Sequence, residues 1–216
     1  MKKHLYLFSG LGADERVFQR LDFSGYDVTY IQWISPLPNE KIEHYAGRIL
    51  PEIKTKNPIL IGLSFGGLIA IEVAKLVKYE QIILIASAKT KFEIPLYYRL
   101  AGWLGLYRLV PASILKRSNF ITEWMFGAHS PSDKKLLKQI LQDTDAVFLK
   151  WAMGKIARWE NTSLLKNTTH IHGTSDKVLP VWFAGSNHKV KDGGHLMTLN
   201  KHEEITRLIK TALTSP

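Results

Sequence analysis

The feature that most constrains the fold of this chain is a buried apolar run that passes directly into a glycine-rich turn. Pro58 precedes the run at residues 59–61, and residues 62–67 read Gly-Leu-Ser-Phe-Gly-Gly. A short continuous run of aliphatic residues is typical of a strand that is covered on both faces, as in parallel sheets. An apolar helix is expected from about residue 68 to residue 77. The segment therefore predicts a strand, a tight turn and a helix in direct succession.

Buried strands and amphipathic helices alternate on both sides of this turn. Apolar residues recur at helical spacing between residues 42 and 53, and again between residues 202 and 212. Strands are predicted at residues 5–8, 27–33, 59–61, 81–86, 169–172 and 186–190. Strands that alternate with helices in this way predict a doubly wound α/β fold.

Residues 90–161 carry a different pattern, with helical stretches at 96–110 and 133–141 and no buried strand run. This segment also holds four of the six tryptophans. We interpret it as a helical insertion between two strands of the sheet. The core then comprises residues 1–89 and 162–216, and the whole chain forms one structural domain because no linker or repeat divides it.

A serine in the glycine-rich turn carries the first chemical signal. Gly62-Leu63-Ser64-Phe65-Gly66 has the form Gly-x-Ser-x-Gly and stands between a predicted strand and a helix. Such a turn strains the backbone and exposes the serine hydroxyl, and the flanking glycines leave room for it. The alternative is an ordinary glycine-rich turn whose serine caps the helix. The strand and helix on either side favour Ser64 as a nucleophile.

Two residues late in the chain are the partners that a serine nucleophile needs. His195 ends a glycine-rich loop after the last predicted strand, and Asp176 follows the strand before it. Histidine titrates near neutral pH and takes the serine proton, while an acid orients the imidazole. Each residue taken alone also fits a plain loop or turn role. Because loops at the carboxyl ends of parallel strands converge, the order Ser64, Asp176, His195 favours a catalytic triad.

Other titratable residues fit these roles less well. Asp192 lies in the same loop as His195, and the loop after the strand at 81–86 has no acid. His170 and His172 alternate along one strand, which is a spacing seen in metal pairs, but no third ligand is evident nearby. We therefore expect no metal site.

A tetrahedral oxyanion needs a pair of backbone amides. We assign one to Phe65, the residue after Ser64, and the other to Leu11 in the loop after the first strand, with Gly12 as the next candidate. A simple strand-to-helix connection is the alternative interpretation of that loop.

Three motifs together resemble the α/β-hydrolase superfamily: Gly-x-Ser-x-Gly-Gly at 62–67, His-Gly-x-x-Asp at 172–176 and Gly-Gly-His at 193–195. The resemblance covers most of the chain outside residues 90–161. It implies a three-layer α/β fold with a mostly parallel sheet of about six strands, without the family's leading β-hairpin, and a helical cap at 90–161. The chain departs from the family in two places. Ser9-Gly10 replaces the usual His-Gly. The spacing from Asp176 to His195 is shorter than the family's, which implies a shortened helix between these two residues.

The resemblance implies an acyl-enzyme on Ser64 and no cofactor. Serine rather than aspartate at the turn argues against haloalkane dehalogenase or epoxide hydrolase chemistry. We expect a carboxylesterase-like hydrolase that acts on a small or medium apolar ester, or on a thioester. The candidate pocket residues are aromatic, and packing within the cap is their alternative role: Trp103, Trp124, Phe126, Trp151 and Trp159. Cleavage of a carbon–carbon bond, a lyase with the same triad, and a small-molecule receptor or scaffold stay open.

Composition argues against several kinds of site, partner and location for this chain. The chain has no cysteine, which excludes disulfides and thiolate metal sites. Its formal charge of +10 comes from scattered lysines and arginines, so we expect no nucleic-acid partner. No segment approaches the roughly 20 apolar residues of a membrane span, and the apolar run after Lys3 is too short for a signal peptide. We expect a cytoplasmic protein with a small-molecule acyl substrate, and the sequence leaves its oligomeric state open.

Overall fold

The computed structural model describes residues 2–214. Its sheet has the strand order β2-β1-β3-β4-β5-β6, and each neighbouring pair is parallel. The strands are β1 (His4–Phe8), β2 (Asp27–Tyr30), β3 (Ile59–Leu63), β4 (Gln81–Ile85), β5 (Thr168–Gly173) and β6 (His188–Val190). The prediction of an α/β fold on a parallel sheet of about six strands is confirmed.

Helices connect these strands and cover the sheet. They are α1 (Ile42–Ile49), α2 (Phe65–Ala74), α3 (Leu96–Trp103), α4 (Ala112–Leu115), α5 (Phe120–Phe126), α6 (Pro131–Asp143), α7 (Ala146–Ala157), α8 (Met197–Asn200) and α9 (His202–Thr214). The five helices α3 to α7 all lie between β4 and β5. No helix among residues 2–214 is long and apolar enough to cross a membrane.

Two helices end earlier than the apolar spacing predicts. Helix α1 stops at Ile49 and a 3₁₀ turn follows at Leu50–Glu52, because Pro51 has no amide hydrogen to continue the helix. The helix predicted at 96–110 is divided at Gly105, whose φ of 71° is a left-handed conformation that ends α3. A separate 3₁₀ turn, Leu106–Arg108, follows it.

Alternate residues of each central strand pack against opposite helical layers. Leu5 and Leu7 join the apolar cluster that includes residues of α6 and α9, whereas Tyr6 and Phe8 join the cluster with α1, α2 and α7. Every residue of α2 is buried, since this helix lies beneath other helices as well as on the sheet. The turn between β3 and α2 is therefore held in a rigid frame.

Candidate active site

Ser64 occupies a strained turn between β3 and α2. Its φ of 53° and ψ of −122° lie in a region that residues with a side chain rarely adopt, at a cost of about 1–3 kcal/mol. The surrounding structure holds this conformation. The Ser64 amide donates to the carbonyl of Ile85 on β4 (2.9 Å), and the Gly67 amide donates to the carbonyl of Ser64 (2.9 Å). The strand thus turns into the helix at Ser64 itself.

The glycines around Ser64 are required by close backbone approaches. A Cβ atom on Gly62 would lie 2.4 Å from the Cα atom of Gly67. A Cβ atom on Gly66 would lie 2.2 Å from the carbonyl oxygens of both Phe8 and Ser9. These distances are too short for any side chain, so the Gly-x-Ser-x-Gly-Gly pattern follows from packing against β1 and α2.

The structure brings the three predicted catalytic residues into contact. His195 Nε2 lies 2.8 Å from Ser64 Oγ, and His195 Nδ1 lies 2.8 Å from Asp176 Oδ2. The loops after β5 and β6 are joined by a hydrogen bond from the Ser175 amide to the carbonyl of Gly193 (2.9 Å). His195 and Asp176 are both buried, whereas Ser64 is partly exposed. The serine hydroxyl is therefore the accessible end of this hydrogen-bonded series.

Asp176 is held as an ionised carboxylate. Its Oδ1 atom accepts hydrogen bonds from the amides of Val178 (2.9 Å) and Leu179 (2.8 Å), which leaves Oδ2 for His195. Burial raises the pKa of Asp176, but the nearby His195 and these hydrogen bonds outweigh it, so the pKa lies below its usual value. A negative Asp176 favours the proton of His195 on Nδ1 and leaves Nε2 free to accept from Ser64.

Two buried histidines extend the site behind Asp176. His172 Nε2 donates to the carbonyl of Leu179 (2.7 Å) and lies 3.4 Å from Asp176 Oδ2, and His170 Nε2 lies 3.2 Å from His172 Nδ1. Burial lowers the pKa of both rings, and that of His170 to about 3. In the sequence, the alternation of these two histidines along one strand indicates only a possible metal pair. No cluster of three potential metal-binding side chains occurs among the described residues.

The loop after β1 brings Leu11 beside Ser64. Its turn is closed by a hydrogen bond from the Ala13 amide to the carbonyl of Gly10 (3.0 Å), and a Cβ atom on Gly10 would lie 3.5 Å from Ser64 Cβ. Ser9, which stands where the family usually has histidine, donates its hydroxyl to the carbonyl of Ala13 (2.7 Å). This side chain therefore ties the loop in place.

Two backbone amides near Ser64 are not used in the hydrogen bonds of the helix or the turn in which they lie. Phe65 is the first residue of α2, so its amide has no acceptor within the helix. Leu11 is a central residue of its turn, and the hydrogen bond that closes the turn uses the amide of Ala13 instead. Phe65 and Leu11 each line a cavity that also contains Ser64.

Two small apolar cavities meet at Ser64 and His195. One has a volume of about 60 Å³ and is lined mainly by Phe65, Ile94, Tyr98 and Leu179. The other has a volume of about 90 Å³ and is lined mainly by Leu11, Phe126, Leu137 and Ile140. Ile156 and Val178 line both cavities and so lie between them.

Residues 5–208 match the sequence pattern of the alpha/beta hydrolase family. The chain belongs to the alpha/beta hydrolase family. No curated protein sequence matches this chain.

Several solved structures share the fold of this alpha/beta hydrolase at low sequence identity. An esterase from Exiguobacterium antarcticum has a TM-score of 0.76 and 17% identity, over 99% of this chain and 92% of that one. A thermophilic esterase from Thermogutta terrifontis has a TM-score of 0.73 and 17% identity, over 99% and 90%. A bromoperoxidase from Bacillus anthracis has a TM-score of 0.69 and 16% identity, over 100% and 92%. At these identities the likeness shows the fold alone.

The aromatic residues predicted to line the pocket of this alpha/beta hydrolase lie mostly elsewhere. Phe126 lines the larger cavity, with its ring 5.6 Å from that of His195. Trp159 is buried and donates to Glu72 Oε1 (2.7 Å), and Trp151 packs edge-on against Phe65 from outside the cavities.

Trp103 and Trp124 also lie outside both cavities. Both are exposed, and the Lys177 ammonium lies 4.8 Å above the Trp124 ring. The cavities are lined chiefly by aliphatic side chains, several of them from α6 and α7. In the sequence these residues have the helical spacing of ordinary core positions, so no local signal separates them from the core.

Proposed function

We propose that this alpha/beta hydrolase is a serine hydrolase that cleaves a small or medium carboxylic ester, or a thioester, through an acyl-enzyme on Ser64. The observation that carries the proposal is the pair of 2.8 Å contacts on the His195 ring, from Nε2 to Ser64 Oγ and from Nδ1 to Asp176 Oδ2. An imidazole oriented in this way presents an unprotonated nitrogen to the serine hydroxyl.

Acylation begins when His195 Nε2 takes the proton of Ser64 Oγ and the oxygen forms a bond to the acyl carbon. The π electrons of the carbonyl move onto its oxygen, which the amides of Phe65 and Leu11 bind. The ionised Asp176 stabilises the imidazolium and keeps its own charge. Collapse of this intermediate breaks the bond to the leaving group, which takes the proton from His195 Nε2.

Deacylation repeats these steps with water as the nucleophile. His195 Nε2 removes a proton from water as the hydroxide oxygen bonds to the acyl carbon, and the same amides bind the oxyanion. When the bond to Ser64 breaks, the serine oxygen recovers a proton from His195 and the carboxylic acid leaves. Ser64, His195, substrate and water carry every proton and electron pair of the cycle.

The cavities support a small substrate. Their volumes of about 60 and 90 Å³ are well below the roughly 300–1,000 Å³ of pockets for drug-sized ligands. We assign one cavity to the acyl group and the other to the leaving group, since both open onto Ser64. Several of the residues that line these spaces belong to α3, α5, α6 and α7. In this proposal, residues 90–161 therefore act as the cap of the site.

Labelling with a fluorophosphonate probe tests the nucleophile, and p-nitrophenyl esters of increasing acyl length test turnover. Wild-type protein is expected to be labelled once per chain and to hydrolyse short esters best. Ser64→Ala is expected to lose both properties, whereas Ser87→Ala, a nearby buried serine, keeps the labelling.

Each failure of these assays has a distinct meaning. A folded wild-type protein that shows neither labelling nor turnover contradicts the proposal and favours a receptor or scaffold. Labelling without turnover of esters and thioesters contradicts the hydrolase assignment and favours a lyase or a slow receptor that uses the same residues.

A further inference from the structure

Helix α3 presents an apolar face to solvent. Leu96, Leu100 and Trp103 recur at helical spacing on one side of the helix and are 72%, 54% and 76% exposed. The opposite side packs on α7, where a Cβ atom on Gly102 would lie 2.0 Å from the Cβ atom of Ala157. The helix therefore packs on the protein through Gly102 and Tyr98 and leaves Leu96, Leu100 and Trp103 outside.

Exposed apolar side chains continue along the chain from α3 to Trp124. The other exposed large apolar side chains of residues 94–124 are Tyr97, Leu104, Leu106, Leu109, Ile114, Phe120, Ile121 and Trp124. Together with Leu96, Leu100, Trp103 and the exposed Trp182 we name these residues the apolar cap face. The loop after β5 contacts this face at two places, Tyr97 and Trp124. The Tyr97 ring lies 6.4 Å from that of Phe183, which lies 6.2 Å from Trp182, and Lys177 covers Trp124.

Every charged residue in the sequence of this segment between Glu93 and Glu123 is basic. Residues 94–122 contain four arginines and lysines and no aspartate or glutamate. Exposed Trp, Phe and Leu side chains combined with basic residues are typical of helices that lie in the interface of an anionic membrane. A second copy of this chain would bring a like charge, since each copy carries a formal +10. The charge thus favours an anionic lipid surface over self-association.

We propose that the apolar cap face docks reversibly on the surface of an anionic phospholipid bilayer. The apolar side chains enter the headgroup region while the exposed Arg108 and Arg117 meet lipid phosphates. Docking here places the cavities near the membrane, because Tyr98 of α3 and Phe126 of α5 line them. The proposal goes beyond the proposed hydrolase activity and does not require Ser64 to be a nucleophile.

Co-sedimentation with vesicles tests the proposal. We expect the full chain to bind vesicles of phosphatidylcholine with 30% phosphatidylglycerol and to bind pure phosphatidylcholine vesicles far less. The double variant Leu96→Ser, Leu100→Ser is expected to bind about tenfold more weakly. Reversing two exposed charges in Arg108→Glu, Arg117→Glu is expected to weaken binding by about tenfold or more, and added salt reduces wild-type binding.

Two matched controls lie outside the apolar cap face. Leu76→Ser, Leu164→Ser removes two leucines that are 50% and 70% exposed, and Lys78→Glu, Lys166→Glu changes the net charge by the same amount as the arginine variant. Both controls are expected to bind like wild type. Ser64→Ala is also expected to bind normally, which separates docking from catalysis.

Three results would overturn the proposal. The first is absence of wild-type binding to the anionic vesicles. The second is equal loss of binding in the face variants and their controls. The third is a wild-type dimer in sedimentation velocity that Leu96→Ser, Leu100→Ser dissociates, since a second copy would then cover this face. Circular dichroism and thermal unfolding of each variant confirm that these surface changes leave the fold intact.

Discussion

The Nε2 atom of His172 lies 3.4 Å from Oδ2 of Asp176, the same carboxylate oxygen that contacts His195. The His172 ring also donates to the carbonyl of Leu179 (2.7 Å), and the Leu179 amide donates to the other oxygen of Asp176. His172 thus packs against the carboxylate and at the same time braces the turn that binds it.

This contact predicts that His172 positions Asp176. His172→Phe is expected to lower kcat by about tenfold with little change in KM, because His172 lines neither cavity but holds the acid that orients His195. Steady-state kinetics across a pH series measures both constants and the apparent pKa of kcat/KM. His172→Gln, whose amide can donate to Leu179, is expected to recover part of kcat.

His170→Phe is the matched control for this prediction, since His170 contacts His172 and makes no contact with Asp176. It is expected to retain most of the activity. An equal fall of kcat in His170→Phe and His172→Phe, with no recovery in His172→Gln, would show general damage to the core in place of positioning.

Acid is expected to destabilise the protein through His170. Burial, with His172 and Lys89 nearby, lowers its pKa to about 3, against about 6.5 in the unfolded chain. Between these values the unfolded state binds one more proton. The free energy of unfolding therefore falls as the pH drops from about 6.5 towards 3, by up to about 1.4 kcal/mol per pH unit from this residue.

Urea unfolding between about pH 5 and pH 7 measures this dependence, above the range where Asp176 is protonated in the unfolded chain. His170→Phe is expected to reduce the slope of the free energy of unfolding against pH by up to the equivalent of about one proton. His129→Phe, a histidine substitution at an exposed position, is the control. Identical slopes for wild type and His170→Phe would be inconsistent with a buried neutral ring.

The strained turn predicts an unusual order of stabilities at position 64. Ser64→Gly is expected to be more stable than Ser64→Ala by about 1–2 kcal/mol, because glycine adopts a φ of 53° without the Cβ strain. Urea unfolding of both variants measures the difference. In the middle of α2, Ala70→Gly is expected to change stability in the opposite direction, since helical backbone favours alanine. If Ser64→Gly were less stable than Ser64→Ala, the backbone at position 64 would not be strained in the way this prediction requires.

The position of Ile156 between the two cavities predicts which acyl chain lengths the site accepts. It lines both cavities, so Ile156→Ala is expected to join them and to shift the best p-nitrophenyl ester towards longer acyl chains. The preference is read from kcat/KM across the ester series. Ile53→Ala, which shortens a partly buried isoleucine away from both cavities, is expected to keep the wild-type order. An unchanged optimum in Ile156→Ala would place the acyl group elsewhere.

The strands and the turn at Ser64 could be predicted from sequence because their signals are local. The buried run, the glycines and the helix follow one another directly. The structure differs from the prediction where α1 ends before Pro51 and where Gly105 divides the helix predicted at 96–110. The meeting of Ser64, Asp176 and His195 also follows from sequence order, since parallel strands place the loops at their carboxyl ends on one edge of the sheet.

The sequence by itself thus determined the α/β class, the strained turn and which residues converge there. Only the tertiary structure decided which side chains surround them: Phe126 lines a cavity while Trp159 is buried in the core, and α3 packs through Gly102 and exposes Trp103. The physical reason is that periodicity reports how apolar residues are spaced along an element. What covers each of them depends on residues far away in the chain, which meet only when the whole chain packs.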